Sequence, residues 1–382
     1  MTATKSHQIT LGNPSRAGRR DHFLDGRLGV ASARGVTGAD RVLLDGLDQR
    51  ISGKALIVRS REGLAALATA TLCPEALIYN FDLDAYDAQR ATKTAHTNGL
   101  ERIIPQLHTD LPRTDFDWVL MPVARQGDAM LHGELLRQAH QVLRPRGKLL
   151  AATDNRKDRW LHDHIHKIFG AVTIHQQSRR GKVYVARKQN DKPLRGRHFQ
   201  RMFPGRLFNQ ELQLESRPGV FSHGRVDVGA KALAEATKLP LGGTVVDLGC
   251  GCGVLGIAAA RANPSGRSVL VDSNTRATAV TRANLTRNDV KNGVVLLGYN
   301  LNALSPASAE LVLGNPPYFG DFRIFEAFAR EAQRVLTEDG TYCCVTKSAE
   351  SALAVCEKFF TKIEQRELRG YTVLHCANAS AR

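Results

Sequence analysis

Val245-Val246-Asp247-Leu248-Gly249-Cys250-Gly251-Cys252-Gly253-Val254-Leu255-Gly256 reads as an apolar strand that runs into a glycine turn and then into a helix. Glycines at alternate positions remove Cβ atoms, so a ligand can approach the backbone closely. The helix that follows offers its unpaired N–H groups to that ligand. A strand, a tight glycine turn and a helix in this order open an α/β domain with a parallel sheet. Gly251-x-Gly253-x-x-Gly256 also fits the dinucleotide fingerprint, with Asp272 twenty-one residues beyond Gly251. Spacing alone leaves two ligand classes open, a nicotinamide dinucleotide and S-adenosylmethionine.

Two carboxylates favour the second. Asp247 closes the strand before the turn, where it suits the ammonium group of a ligand better than a pyrophosphate. Asp272, with Ser273 beside it, ends the next strand, where a carboxylate can accept bonds from both ribose hydroxyls. Gly249, Cys250, Gly251 and Gly253 then form the cradle. Asn300, after the third strand, reads equally as a partner for the adenine edge and as a turn residue.

Leu313-Gly314-Asn315-Pro316-Pro317-Tyr318 follows the fourth apolar strand. In open α/β sheets ligands bind at the carboxyl ends of strands, so this motif is expected beside the glycine loop, with Asn315 among the cofactor-binding residues too. An exocyclic amino group is a poor nucleophile, because its lone pair is delocalised into the ring. Asn315 Oδ1 and the Pro316 carbonyl can each accept one amino hydrogen and free that lone pair for a sulfonium methyl. Prolines hold the backbone shape with little entropy left to lose. Tyr318 offers a ring to stack on a base, worth roughly 1–3 kcal/mol.

A second copy of the pattern lies upstream. Val119 and Val312, Val142 and Val335, and Gly147 and Gly340 are each separated by 193 positions. The strand Ala55-Leu56-Ile57-Val58 matches Thr244-Val245-Val246-Asp247 at an offset near 189. The expected fold class is therefore α/β, two tandem Rossmann-like domains of the class I methyltransferase type produced by duplication. The upstream copy is degenerate: Val58-Arg59-Ser60-Arg61-Glu62-Gly63 has lost the glycine series, and Met121-Pro122-Val123-Ala124 has neither Asn nor an aromatic. The expected division is a basic flexible tail over 1–36, a degenerate domain over 37–190 for support or substrate binding, a basic linker over 191–225 and a catalytic domain over 226–382. Strands are expected at Thr341–Val345 and Tyr371–Cys376 as an antiparallel pair joined by turn chemistry at 366–370. A helix is expected over Ala349–Phe360.

The 382 residues suffice for two cores, and 42% hydrophobic with 24% charged residues reads as globular. No apolar run reaches the ~18 residues of a membrane helix. The net charge of +16 points to a polyanionic partner. It is concentrated between Gln177 and Arg206, where Arg179, Arg180, Lys182, Arg187, Lys188, Lys192, Arg195, Arg197, Arg201 and Arg206 face one acid, Asp191. Of these, Arg179, Arg180, Lys182, Arg187, Lys188, Arg195, Arg197 and Arg201 are the candidate RNA-binding residues. The seven scattered cysteines give no disulfide framework, which suits a cytoplasmic chain. Cys250-x-Cys252 lacks a second pair, and no Glu-flanked zinc pattern accompanies His162 and His166, so no metal is expected.

Together these features resemble the ribosomal RNA guanine-N2 methyltransferases of the RsmC and RlmG type, in which a degenerate methyltransferase-like domain precedes an active one. Pro218-Gly219-Val220-Phe221-Ser222 and Val226-Asp227-Val228-Gly229 carry the likeness further. The resemblance implies that Phe221, Asp247, Gly249, Gly251 and Asp272 bind S-adenosylmethionine, and that Asn315 to Tyr318 hold a guanine amino group. It implies ribosomal RNA or a ribosomal subunit as partner, and a monomer. Tyr318-Phe319-Gly320-Asp321 departs from the Phe-then-His that the family carries there. Tyr at that place is shared with adenine-N6 and glutamine-N5 methyltransferases, so the acceptor is read less firmly than the reaction. A non-catalytic RNA-binding assembly factor is the other alternative.

Overall fold

The computed structural model describes residues 7–10, 27–30, 38–47, 50–191, 194, 199–317 and 322–378. The chain forms two compact units, Met1–Arg197 and His198–Arg382.

The N-terminal unit opens with strands β1 (His7–Thr10) and β2 (Arg27–Val30), paired antiparallel. Then come α1 (Gly38–Asp45), β3 (Lys54–Val58), α2 (Leu64–Leu72), β4 (Leu77–Asp82) and α3 (Ala85–Thr97). They are followed by β5 (Ile104–Leu107), β6 (Phe116–Val123), α4 (Ala129–Val142), β7 (Leu143–Thr153) and α5 (Trp160–Phe169). Strands β8 (Thr173–Gln177) and β9 (Lys182–Arg187) complete a seven-stranded sheet of order β5-β4-β3-β6-β7-β9-β8.

The C-terminal unit repeats this plan. A hairpin of β10 (Arg201–Leu207) and β11 (Gln210–Ser216) leads into α6 (Val228–Ala236), β12 (Thr244–Leu248), α7 (Val254–Ala262) and β13 (Arg267–Asp272). Next are α8 (Thr275–Arg287), β14 (Gly293–Leu297), β15 (Ala309–Gly314) and α9 (Arg323–Val335). Strand β16 (Leu336–Thr346), α10 (Ala349–Cys356), β17 (Lys362–Leu368) and β18 (Tyr371–Ala377) end the unit, in the order β14-β13-β12-β15-β16-β18-β17. Each sheet has an apolar core on both faces. In the C-terminal unit, Val245, Ile257 and Leu270 lie on one face, and Val246, Phe325 and Val335 on the other.

The duplication extends to register. Ala55 pairs with Trp118 as Val245 pairs with Leu311. The ladder between β6 and β7 breaks between Phe116 and Trp118, and that between β15 and β16 breaks between Ala309 and Leu311, 193 positions on in each case. A β-bulge is a local irregularity that strand–helix alternation does not impose, so its repetition at one place marks common descent of the copies.

Two stretches differ from the expected organisation. Within 191–225, residues 201–216 are the hairpin, and Leu212 and Leu214 are buried in the C-terminal core. Asn284 and Asn288, one helical turn apart on α8, hold its outer edge. Asn284 accepts from Glu215 N and donates to Glu215 O, while Asn288 does the same with Gln213 N and O. Two side-chain amides thus continue the β-ladder where, among the described residues, no further strand pairs. At the other end, the turn at Arg369-Gly370, both with positive φ, joins β17 to β18 and not β16 to β18. Strand β17 is Lys-Ile-Glu-Gln-Arg-Glu-Leu, a charged edge strand without a buried face, which is how natural sheets protect an edge. Helix α10 ends at Cys356, four residues short of the expected Phe360.

Candidate functional site

The glycine loop lies between β12 and α7. Gly249, Gly251 and Gly253 all have positive φ, the left-handed conformation that disfavours a Cβ. Gly249 N and Cys250 N both donate to Val271 O, at 2.8 and 3.0 Å, which folds the loop over the end of β13. Around Gly251, a Cβ would meet nothing within 4 Å, whereas on Gly253 it would lie 2.7 Å from Thr281 Cγ2. The loop therefore packs at Gly253 and faces open space at Gly251, the shape of a ligand cradle.

The two acids hold this cradle from opposite sides. Asp272, half-buried, accepts from Gly251 N on Oδ2 and from Asn274 N on Oδ1, each at 2.8 Å. Asp247 is 2% exposed and accepts from Gly256 N at 2.8 Å. Burial pushes its carboxyl up to about 7, against the lowering effect of the Gly256 bond. Asp247 thus supports the loop from within and does not stand open beside it. Cys250 also points inward: its thiol lies 3.7 Å from Thr281 Oγ1, and burial raises it well above its ordinary range. Cys250 offers only backbone to a ligand.

The segment before α6 reaches the same edge. Arg276, fully buried, donates from Nη1 to Pro218 O at 2.9 Å, and Asn274 donates from Nδ2 to Gly219 O at 2.9 Å. These two residues follow Asp272 at the start of α8, so they hold the 218–221 turn beside it. Phe221, at 60% exposure, projects from that turn. Ser273 is half-buried next to Asp272. Asn300 makes a turn contact, its Oδ1 accepting from Asn302 N at 3.2 Å.

Asn315, Pro316 and Pro317 follow β15, which pairs directly with β12, so the motif and the glycine loop leave adjacent strands at one sheet edge. Tyr318 lies outside the described residues. Asn315 Nδ2 donates to Asp227 Oδ2 at 2.9 Å, and the same oxygen caps α6 by accepting from Ala230 N at 3.2 Å. Because a carboxylate only accepts, this contact fixes which end of the Asn315 amide is the oxygen. A Cβ on Gly229 would lie 3.2 Å from Asn315 Oδ1 and 3.3 Å from the Tyr371 ring, so glycine is what lets α6 start against the motif. Lys347 Nζ stands 4.8 Å over that ring. Asp227 appeared in the sequence only as part of a motif. Its partnership with Asn315, 88 residues away, has no local signal; Lys347 and Tyr371 have none either.

The candidate RNA-binding cations separate. Arg179 and Arg187 are exposed, as is Arg201 on β10. Arg180 is held by Asp45 at 3.1 Å. Lys182 donates to Asp158 O at 3.0 Å. Lys188 is a correction: it is 5% exposed, and its ammonium donates to Leu143 O at 2.6 Å and pairs with Asp191 at 2.8 Å. It closes the bulge strand of its own unit and is withdrawn from any partner. Arg195 and Arg197 lie outside the described residues.

In the N-terminal copy, the loop after β3 keeps the glycine loop's backbone bonds. Arg59 N donates to Phe81 O at 2.8 Å as Gly249 N does to Val271 O. Arg59 occupies the glycine's place with a φ of 54°. Asp82 stands where Asp272 stands; its carboxyl is pushed up to about 7 by burial, with Arg59 opposing. His132 is lowered to about 4 by burial and by the same arginine. Arg59 therefore brings charge beside the counterpart of Asp272.

The family described as methyltransferase small domain matches this chain twice, over residues 23–185 and 211–375. The chain is similar to the ribosomal RNA small subunit methyltransferase C of Pseudomonas entomophila (strain L48), with 35% identity over 157 residues, 38% of this chain and 47% of that protein. It is similar over more of its length to the ribosomal RNA large subunit methyltransferase G of Pseudomonas syringae pv. syringae (strain B728a), with 28% identity over 317 residues, 80% of this chain and 83% of that one. The stretch matched in the first small-subunit relatives spans only about a third to three-fifths of their length. Its fold is shared with the T. thermophilus 16S rRNA N2 methyltransferase RsmC, solved in complex with AdoMet and guanosine: TM-score 0.78, 21% identity, 93% of this chain and 96% of that one.

Proposed function

The chain belongs to the methyltransferase small domain family, and from that premise we propose that its C-terminal unit methylates the exocyclic N2 amino group of a guanine in ribosomal RNA, with S-adenosylmethionine as donor. The observation that carries this reading is the amide of Asn315, held by Asp227 on the strand next to the glycine loop. The open space above Gly251 fits a cofactor lying against the backbone, and the half-buried Asp272 fits its ribose. Phe221 lines the same edge. When bound, S-adenosylmethionine supplies a methyl group made electrophilic by its sulfonium.

The residues of the chain then do the rest. Asn315 Oδ1 and the Pro316 carbonyl each accept one hydrogen of the target amino group, which draws its lone pair out of the ring. Pro316 and Pro317 keep both acceptors in place. Tyr318 stacks on the base. Alignment of nitrogen with methyl and sulfur supplies most of the rate, and the proton leaves to water after transfer, so this chemistry requires no strong general base. Glycine-loop residues orient the donor, and Asp227 orients the acceptor site.

The N-terminal unit supports folding and substrate binding; the chain acts as a monomer in the cytoplasm, on ribosomal RNA or a ribosomal subunit. Among the described residues, no helix is long and apolar enough to cross a membrane. Nucleoside mass mapping of ribosomal RNA from a deletion strain tests the proposal. Loss of one N2-methylguanosine supports it, and an unchanged profile refutes it. Tyr318 in the place of Phe favours one competitor, transfer to adenine N6; loss of an N6-methyladenosine from the same map selects it.

A further inference from the structure

Along one flank of the C-terminal unit runs a groove of about 1360 Å³ between the β10–β11 hairpin, the outer face of α6 and the β17–β18 turn. Neither the glycine loop nor Asn315–Pro317 lines it. Small-molecule pockets measure roughly 300–1,000 Å³, so the groove is larger than a cofactor needs. Its walls carry Arg206 from β10, Arg225 from the following segment and Lys231 from α6. Among the described residues none of these three makes an ion pair. A fourth cation, Arg369, is neutralised by Glu235 at 2.6 Å, which leaves Glu211 as the other acid on the walls.

Two further features belong to the same groove. Arg201 lies across its rim: a Cβ on Gly224, a wall residue, would meet Arg201 Cδ at 2.9 Å. Phe208, half-buried in the hairpin turn, adds an aromatic ring to the wall. Cations spaced along a track, with a ring between them, are what a single-stranded polynucleotide requires: phosphates meet the cations and a base stacks on the ring. The groove comes close to the reactive site along the chain: Val226 and Val228, both on its wall, flank Asp227, whose carboxylate holds Asn315.

We propose that this groove carries the single-stranded RNA that flanks the target nucleotide, and that Arg206, Arg225 and Lys231 hold its phosphates. The inference rests on the reading above that the substrate is RNA. The test uses the full chain and a labelled single-stranded RNA of about a dozen nucleotides with a central guanosine, titrated by fluorescence anisotropy across a salt series. Each phosphate contact to a single strand contributes about 0.7 to the slope of log affinity against log salt. The triple variant Arg206→Ala, Arg225→Ala, Lys231→Ala should therefore flatten the slope by about 2. The double variant Arg206→Lys, Arg225→Lys should keep the slope, and cofactor affinity and thermal midpoint should stay at wild-type values.

An unchanged slope in the alanine variant overturns the proposal. So does a variant that keeps RNA affinity but loses affinity for a protein-bearing ribosomal particle, which would assign the groove to a protein partner. Methyl incorporation into RNA by the wild type separates this inference from the proposed activity. Incorporation with an unchanged variant slope sinks the groove alone. A flattened slope without incorporation leaves the groove standing and sinks the activity.

Discussion

Asp227→Asn isolates the orientation of Asn315 from every other role of the residue. The native carboxylate accepts from Asn315 Nδ2 at 2.9 Å and from Ala230 N at 3.2 Å. Asparagine is as good a helix cap as aspartate, so α6 keeps its start. What changes is the bond to Asn315. A hydrogen bond to a charged group contributes roughly 1.5–3 kcal/mol and a neutral one roughly 0.5–1.5, so the replacement loses on the order of 1–1.5 kcal/mol. It also removes the bias in orientation, because the new amide can donate to Asn315 Oδ1 as readily as accept from Nδ2. If that bias sets the reactive geometry, 1–1.5 kcal/mol appears as about a 5–12-fold fall in kcat. Cofactor affinity is expected to remain within twofold, since no glycine-loop contact involves Asp227. Steady-state transfer of a radiolabelled methyl to RNA, with calorimetry for the cofactor and a melting curve, reads all three. A kcat within twofold of wild type, at unchanged melting temperature, refutes the orientation argument and leaves Asp227 a helix cap.

Three other perturbations follow from the site. Asn315→Ala removes an acceptor whose work lies in the transition state, so the transfer rate should fall by about 100-fold or more with cofactor affinity kept within a few-fold; equal losses in both would assign Asn315 to cofactor binding. Gly251→Ala and Gly253→Ala both strain a positive φ by about 1–2 kcal/mol, but only the second meets Thr281 at 2.7 Å. Gly253→Ala should show the larger fall in melting temperature, while Gly251→Ala, whose methyl enters the open cradle, should lose cofactor affinity out of proportion to stability; the reverse pattern would place the ligand elsewhere. For Asp247, burial raises the folded carboxyl to about 7 from an ordinary 3.8. Between those values the folded chain binds a proton that the unfolded chain has released, so this group lowers stability as pH rises through the window. Asp247→Asn should remove that component, at most ~1.4 kcal/mol per pH unit, from the pH 5–7 melting profile of the cofactor-free chain; parallel profiles would show that Asp247 stays ionised.

Much of this fold was legible because its signals are local or periodic. The glycine loop announces a strand-to-helix turn by composition, and the 193-residue offset announces the duplication. The structure carries both further, down to a bulge repeated at Phe116–Trp118 and Ala309–Leu311. Elements that escaped have a common physical character. Strand β17 has no buried face, so its sequence shows charge where periodicity should show alternation. The β10–β11 hairpin carries no local sign that its outer edge is held by Asn284 and Asn288, side chains from the end of a distant helix. Within the expected linker, Arg201 and Arg206 belong to this hairpin and are exposed, while its Leu212 and Leu214 are buried. Lys188 misled for the opposite reason, since charge in a sequence does not reveal that carbonyls and Asp191 have already claimed it. The Asp227–Asn315 contact spans 88 residues and is visible only when α6 is folded against β15.

The degenerate copy explains why two such similar folds need not share a site. Two backbone bonds of the loop after β3 repeat those of the glycine loop: Arg59 to Phe81 as Gly249 to Val271, and Gly63 to Ser60 as Gly253 to Cys250. Losing glycine at position 59 therefore did not unfold the loop, although a side chain there accepts a strained φ of 54°. What it changed is the charge beside the neighbouring acid. Asp82 is more deeply buried than Asp272 and faces a guanidinium of its own chain. That cation opposes the effect of burial on Asp82, and with burial it keeps His132 neutral near physiological pH. The scaffold tolerates this exchange because its stability rests on the sheet and its two apolar faces, not on the loop. The C-terminal copy keeps three positive-φ glycines for two different reasons: close packing against Phe328 and Thr281 at Gly249 and Gly253, and open space at Gly251.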